Sequence, residues 1–281
     1  MNQSIAGVVI LYHPDITVYH NIQTYISEID TLYVLDNTEL PDNNIVDRLR
    51  SCPKVQYIAF NDNKGIAYAL NYALVQAQSE GYVFLLTMDQ DSSFSEDNLR
   101  EYMRRIEVDA YRKNDVVSYA VNYGPLNKEK VERQLITSYI TSGSVLDVSK
   151  AIAIGKFDER LFIDQVDSEF AYRATVKGNR IITFFDIYLN HHLGNIRWYH
   201  LGRYKFAVLN HGPLRKYYIF RNLIYVRKKY PFLKNAYRTY IVKEFIKVLL
   251  FEKEKATKFK YIFFAFRDAY RKQYGKYKIH G

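Results

Sequence analysis

A single cysteine, Cys52, occurs among 281 residues, which leaves nothing for an intrachain disulfide or a thiolate metal cluster. A reducing, cytoplasmic setting is the simplest expectation. No run of about eighteen uncharged apolar residues is present, so no helical segment is expected to cross a bilayer. The first residues, MNQSIAGVVILYHPD, lack a basic n-region, and their apolar stretch reads as a buried strand rather than a signal peptide. Internal repeats, Gly/Ser linkers and low-complexity blocks are missing too. Acidic residues are scarce in one part of the chain only. Residues 202–281 hold 21 Lys+Arg against 4 Asp+Glu, a local charge of +17 within a total of +10. The first 201 residues therefore carry −7.

What remains is 48% hydrophobic and 25% charged, the mix of a folded globular protein and not of a disordered chain. The last 80 residues also hold 20 of the 45 aromatic side chains. An acidic-leaning body with a basic, aromatic tail is the first division: residues 1–201 as a catalytic domain, 202–281 as a helical extension.

The body reads as an α/β layer. IAGVVILY (5–12), LYVLD (32–36), VQYIAF (55–60) and YVFLLTM (82–88) are short unbroken apolar runs, suited to strands covered on both faces. Helical spacing lies between them, over 16–29 and 66–77. This alternation predicts a mainly parallel, Rossmann-like central sheet flanked by helices, with right-handed crossovers. Ligands of such sheets collect beyond the carboxyl ends of the strands.

Those ends are therefore informative. They are Tyr12-His13-Pro14, Asp36-Asn37, Asn61-Asp62-Asn63-Lys64-Gly65, and Asp89-Gln90-Asp91. Asp and Asn are also ordinary loop and cap residues. Two carboxylates one residue apart after a buried strand can nonetheless present oxygens to one hard cation. Mg²⁺ and Mn²⁺ favour such ligands and keep positions open for substrate phosphates. Glu96 and Asp97 follow Ser95 at a helix start and are assigned to the helix dipole. A second acidic cluster, Asp164, Asp167 and Glu169, opens a helical pattern over 166–177. It follows TSGS (141–144), whose small side chains leave backbone accessible. The three acids read as a site lip, or else as first-turn caps.

With these segments in view, the chain resembles the family 2 glycosyltransferases, and within them the bacterial rhamnosyltransferase-like group. The segments, in order, are VVILYHP (8–14), VLDNT (34–38), NKGIAYALNYAL (63–74), LLTMDQDSS (85–93), TSGSV (141–145), FDERLFIDQVDSEFAYR (157–173), HHLGN (191–195) and RKYYIFRN (215–222). The resemblance implies a GT-A fold and inverting, metal-dependent transfer from a nucleotide-diphosphate sugar. It gives Tyr12 and Asp36 to the donor, Asp36 against the nucleoside, and Asn63 and Gly65 to the loop beneath base and ribose. Asp89 falls near the ribose, and Asp91 on the metal with Asp89 beside it. His191 would complete the metal or diphosphate site, with His192 the weaker candidate. Asp167 matches the catalytic base. Val166 stands where the family motif usually has Glu, and Asp164 is the nearby charge able to replace it. Leu11 stands where Thr is common, which leaves backbone contacts at that strand end. Arg221, in the matching YYIFRN segment, and Arg215 are candidates for the diphosphate, because guanidinium presents a rigid donor fork to phosphate.

The implied donor is an activated sugar, dTDP-L-rhamnose first and another UDP- or dTDP-sugar second. The implied acceptor is a glycan or lipid-linked glycan of cell-surface polysaccharide assembly. A non-catalytic nucleotide-sugar or glycan-binding protein and a nucleotidyltransferase are the competing classes. The second lacks a Gly- and Lys-rich triphosphate loop near the first strand. The tail predicts helices over 214–230, 235–253 and 256–274. Phe259, Ile262, Phe263, Phe266 and Tyr270 form one apolar stripe among lysines and arginines. That pattern suits packing on the protein, or peripheral docking on the cytoplasmic face of the cell membrane. No nucleic-acid module is recognisable, and the acidic body argues against a continuous nucleic-acid track.

Overall fold

The computed structural model describes residues 4–110, 115–123, 133–134, 139–191, 197–201 and 204–278. Contacts divide the chain into two compact units: 1–159 with 166–192, and 160–165 with 193–281. The division is not a single cut of the chain, because six residues ahead of the second acidic cluster's helix belong with the tail.

The first unit is built on β1 (Ile5–Leu11), β2 (Thr31–Asp36), β3 (Val55–Ala59), β4 (Phe84–Asp89), β5 (Ser92–Phe94), β6 (Val116–Asn122), β7 (Arg133–Gln134), β8 (Ser144–Asp147) and β9 (Arg180–His191). Among the described residues these make one nine-stranded sheet in the order β3-β2-β1-β4-β8-β6-β9-β5, with β7 beside β9. β3, β2, β1 and β4 run parallel, whereas β8 is antiparallel to both neighbours. The sheet is mainly parallel, as its unbroken apolar runs predict. Val9, Leu11, Val34, Leu86 and Met88 pack into one core with Val145 and Phe184.

Helices α1 (Thr17–Gln23), α2 (Asn43–Arg50), α3 (Ile66–Ser79), α4 (Glu96–Ala110), α5 (Val148–Ala153) and α6 (Val166–Val176) complete the unit. Two local expectations change. The helix read over 16–29 stops at Gln23, and a separate single turn covers Ile26–Glu28. The Thr24 hydroxyl caps the break by donating to the Asn21 carbonyl at 2.6 Å. The run 55–60 is an edge strand and only half-buried, because nothing pairs beyond β3 among the described residues.

The second unit carries the hairpin β10 (Arg197–Leu201) and β11 (Tyr204–Val208), then α7 (Pro213–Lys229), α8 (Lys234–Phe251) and α9 (Lys255–Tyr270). Its own core gathers Tyr217, Tyr218 and Phe220 of α7, Val248 of α8, and Ile262 and Ala265 of α9 around Phe162. The single stripe expected on α9 is instead two faces. Ile262 is buried, while Phe263, Phe266 and Tyr270 are exposed.

Candidate active site

Four strand ends of the first unit are joined by side-chain hydrogen bonds. At the end of β1 the Tyr12 backbone N–H donates to Gln90 Oε1 at 2.8 Å, and Gln90 Nε2 donates back to the Tyr12 carbonyl at 3.3 Å. The residue between the two aspartates therefore ties the DQD loop to the first strand. Leu11 is wholly buried, so this strand end offers backbone: its carbonyl accepts the Asn37 N–H at 2.9 Å. The half-exposed Tyr12 ring rests against His13, centroids 4.3 Å apart.

Asp36 closes β2 and is 2% exposed. Its Oδ1 accepts the Thr38 N–H at 2.8 Å and its Oδ2 accepts the Tyr57 hydroxyl at 2.6 Å. Burial first, then this bond to Asp36, raise the Tyr57 phenol above its ordinary range. Thr38 Oγ1 in turn accepts the His13 N–H at 2.9 Å, and Asn37 Oδ1 accepts the Lys64 N–H at 3.0 Å. Asp36 thus shapes the turn that joins the first and third strand ends.

After β3, Asn63 Oδ1 accepts the Gly65 N–H at 3.0 Å and closes a turn onto α3. Gly65 has φ +86°, a left-handed value that side chains other than glycine's rarely adopt. Further along α3, buried Asn71 brackets Phe157. It donates to the Phe157 carbonyl at 2.9 Å and accepts its N–H at 2.8 Å.

Asp89 ends β4, and its N–H donates to Ser142 Oγ at 3.1 Å. Ser142 Oγ then donates to Ser92 Oγ at 2.8 Å. Gly143 donates to the Thr87 carbonyl at 2.8 Å, and the Thr87 hydroxyl lies against the carbonyls of Thr141 and Ser144. The TSGS segment is therefore laid along the last residues of β4. Gly143 is required there: its φ is +74°, and a Cβ would stand 2.8 Å from Val121 Cγ2.

Asp167, in the first turn of α6, accepts its neighbour Ser168's N–H at 2.7 Å. Its charge reaches buried Tyr139, whose phenol is raised chiefly by burial and further by Asp167, against the opposing bonds from Ser118 and Ser144. Tyr139 stacks on Phe170 of the same helix at 6.2 Å. Asp167 and Asp89 therefore both belong to the surroundings of the TSGS segment. Glu169 does not join them. It is fully buried and holds Arg173 through paired bonds of 3.0 and 2.8 Å, so its place in the expected lip is corrected to a structural one.

Asp89 and Asp91 are two half-buried oxygen donors, and no group of three His, Cys, Asp or Glu able to hold a metal forms among the described residues. A carboxylate pair one residue apart fits a hard cation whose other positions go to water and phosphate. His191 ends β9, and its backbone pairs with Ser92, next to Asp91; its side chain and all of His192 lie outside the described residues.

Three further expectations change in the second unit. Arg221 is fully buried, and its guanidinium is committed to the carbonyls of Gly275 at 2.6 Å, Arg160 at 3.1 Å and Leu161 at 3.1 Å. Its Nε donates to Asn222 Oδ1 at 3.0 Å. A donor diphosphate is not its ligand in this arrangement. Arg215 pairs with Asp164, Nε to Oδ2 at 2.6 Å and a second bond of 2.8 Å, so neither is available for phosphate or for the missing Glu of the motif. Burial raises the Asp164 carboxyl despite Arg215. Asn222 was not legible as a site residue. Its Nδ2 faces the carbonyls of Leu161, Ile163 and Asp164 at 2.8, 2.6 and 2.9 Å.

Residues 17–162, just over half of the chain, match the family model described as glycosyl transferase family 2. The chain belongs to this family. Among curated proteins, the family 2 chain is 26% identical over 252 residues to a dTDP-rhamnosyl transferase, RfbF, of Shigella flexneri, covering 82% of this chain and 81% of that one. A crystal structure of S. aureus TarS superposes with TM-score 0.54 at 14% identity, over 92% of this chain and 42% of that one. GalNAc-T7 with UDP, GalNAc and Mn²⁺ gives TM-score 0.59 at 11% identity, over 96% of this chain and 56% of that one. This transferase thus spans less than two thirds of either structural neighbour. The fold of the family 2 chain is GT-A, with helices at its C-terminal end.

Proposed function

We propose that this transferase moves L-rhamnose from dTDP-L-rhamnose, with inversion, onto a glycan or lipid-linked glycan acceptor at the cytoplasmic face of the cell membrane. The observation that carries the transfer reading is the TSGS segment, which receives the Asp89 loop through Ser142 and has Asp167 in its surroundings. The donor sugar rests on the 26% identity to a dTDP-rhamnosyl transferase. The acceptor rests on the sequence resemblance.

Asp36, Asn63 and Gly65 line the nucleoside end, with Tyr12 beside them. Asp91, with Asp89 and His191, would hold a divalent cation, Mg²⁺ or Mn²⁺, which supplies Lewis-acid stabilisation of the departing diphosphate. Asp167 takes the acceptor hydroxyl proton as that oxygen bonds to the anomeric carbon. The bond from that carbon to the diphosphate oxygen breaks on the opposite side, and the electron pair leaves with the nucleotide. One displacement of this geometry turns a β-L donor into an α-linked product. A base so positioned contributes about 10²–10⁴ in rate.

The test is nucleotide release from a panel of activated sugars, dTDP-L-rhamnose included, with Mg²⁺, Mn²⁺ or EDTA and with free and lipid-linked glycan acceptors. Release from one donor is expected, abolished by EDTA and by Asp91→Asn, and lowered about 10²–10⁴-fold by Asp167→Asn. Failure of every nucleotide sugar to bind would sink the reading. Binding without release would favour a non-catalytic nucleotide-sugar protein.

A further inference from the structure

The helices α8 and α9 spend one apolar face on the second core and keep another outside. Val248, Ile262 and Ala265 point into that core. Val242, Ile246 and Leu249 recur along α8 at four- and three-residue steps and are all exposed, as are Phe263, Phe266 and Tyr270 along α9. Tyr270 is 85% exposed and Phe263 66%. A helix that has filled its core and still presents an apolar stripe marks a surface with a partner. No helix of the described residues is long and apolar enough to cross a membrane, so the stripe is not part of a span.

The charge around it selects the partner. Three of the four acids in 202–281 are buried and neutralised within the unit. Glu252 pairs with Lys216 at 2.6 Å and Lys258 at 2.9 Å, Glu244 with Lys216 at 3.2 Å, and Asp268 with Arg267 at 2.8 Å. The lysines and arginines that border the stripes face water, Arg238, Lys243 and Lys260 among them. The outer surface is therefore apolar with an almost purely cationic border. A second copy would bring the same positive border against itself, which opposes association at ordinary ionic strength. An anionic bilayer supplies what both parts require: hydrocarbon for the aromatic stripe and phosphate for the border.

We propose that the outer face of α8 and α9 docks on an anionic lipid bilayer, with Phe263, Phe266 and Tyr270 in the headgroup–acyl boundary. This names the surface for the membrane partner proposed above, and its test is independent of turnover. The full chain is sedimented with vesicles of phosphatidylcholine containing about one third phosphatidylglycerol, and with phosphatidylcholine alone, at low and at about 0.5 M salt. Pelleting is expected with the anionic vesicles only, reversed by salt, and weakened at least about tenfold in Phe263→Ser/Tyr270→Ser. Lys243→Glu/Lys260→Glu should lose most of the salt-sensitive part. Both pairs are exposed, and an unchanged thermal midpoint checks that the variants are folded. Wild type left in the supernatant overturns the proposal, as does a Phe263→Ser/Tyr270→Ser protein that pellets like wild type. A solution mass twice that of the chain, halved by the same substitutions, assigns the face to a second copy and also overturns it. Nucleotide release with a water-soluble acceptor is read alongside. Vesicle binding without release in any protein leaves docking standing and removes the transferase reading.

Discussion

Gln90 sits between two aspartates and looks like a spacer, yet its amide joins two strand ends 78 positions apart in sequence. Asp89 and Asp91 stand out because they follow an apolar run. Gln90 does not, because its partner is the backbone of Tyr12, and no spacing rule reaches that far. Gln90→Ala should leave overall stability nearly intact and lower nucleotide affinity, measured by calorimetric titration, by loosening both loops. Gly143 likewise reads as one small residue among several in TSGS. The crowding that forbids a side chain comes from Val121 and Leu189, on other strands. Gly143→Ala is expected to cost about 1–3 kcal/mol by overpacking alone, with a further cost from its positive φ. Thermal unfolding would register it. Tyr25 gives the opposite outcome. Its hydroxyl is fully buried with no hydrogen-bond partner among the described residues, and burial followed by the Asp89 charge raises its pKa, so the phenol stays protonated. Tyr25→Phe should therefore be neutral, or stabilising by up to about 1 kcal/mol in denaturant titration.

At the scale of elements, α7 is where sequence and structure diverge most. Two arginines on an aromatic helix, Arg215 and Arg221, suggest phosphate chemistry, because the guanidinium fork suits it. Which way a helix faces is decided by tertiary packing, however, and α7 turns Arg221 and Asn222 inward onto 160–165. That segment needs them. Phe162, Asp164 and Gln165 all have left-handed φ values, 64°, 63° and 64°, conformations that persist only when surroundings enforce them. Asn222→Ala would remove this donor from three carbonyls, of which Leu161 keeps Arg221, and is expected to cost about 1–3 kcal/mol. Because Asp167 follows Gln165 by two residues, the same change should lower kcat more than it raises the donor KM. β1 to β4, by contrast, were legible as elements from their unbroken apolar runs, and α3 and α6 from their spacing, whereas the strands from β5 onward left no such run and were not legible. The two faces of α9 were not separable, because Ile262 and Phe263 are both apolar and only packing tells them apart.

At the scale of the molecule, the asymmetry of charge was plain in composition, whereas the burial of the tail's acids was not. One titrating group within that tail gives a pH test. His211 is held below its ordinary value of 6.5 chiefly by burial, with Arg215 second, against the opposing charges of Asp164 and Glu252. A depressed folded value means the unfolded chain binds the proton more readily. The stability from neutral His211 is then full above about pH 6.5 and is lost as pH falls through the folded value. The thermal midpoint should drop on acidification through that window, and His211→Asn should flatten that part of the profile.

The carbonyls of Leu161, Ile163 and Asp164 also carry a consequence in time. Their donor, Asn222, lies about 60 residues further along the chain. At a synthesis rate of roughly 5–20 residues per second, the segment leading into Asp167 waits several seconds for it. Until α7 has emerged from the ribosome, residues 160–165 lack the donors that fix their course. A nascent chain stalled before Arg221 would hold most of its strands while residues 160–165 still lacked their donors, so the chain from Arg221 onward is what fixes that segment.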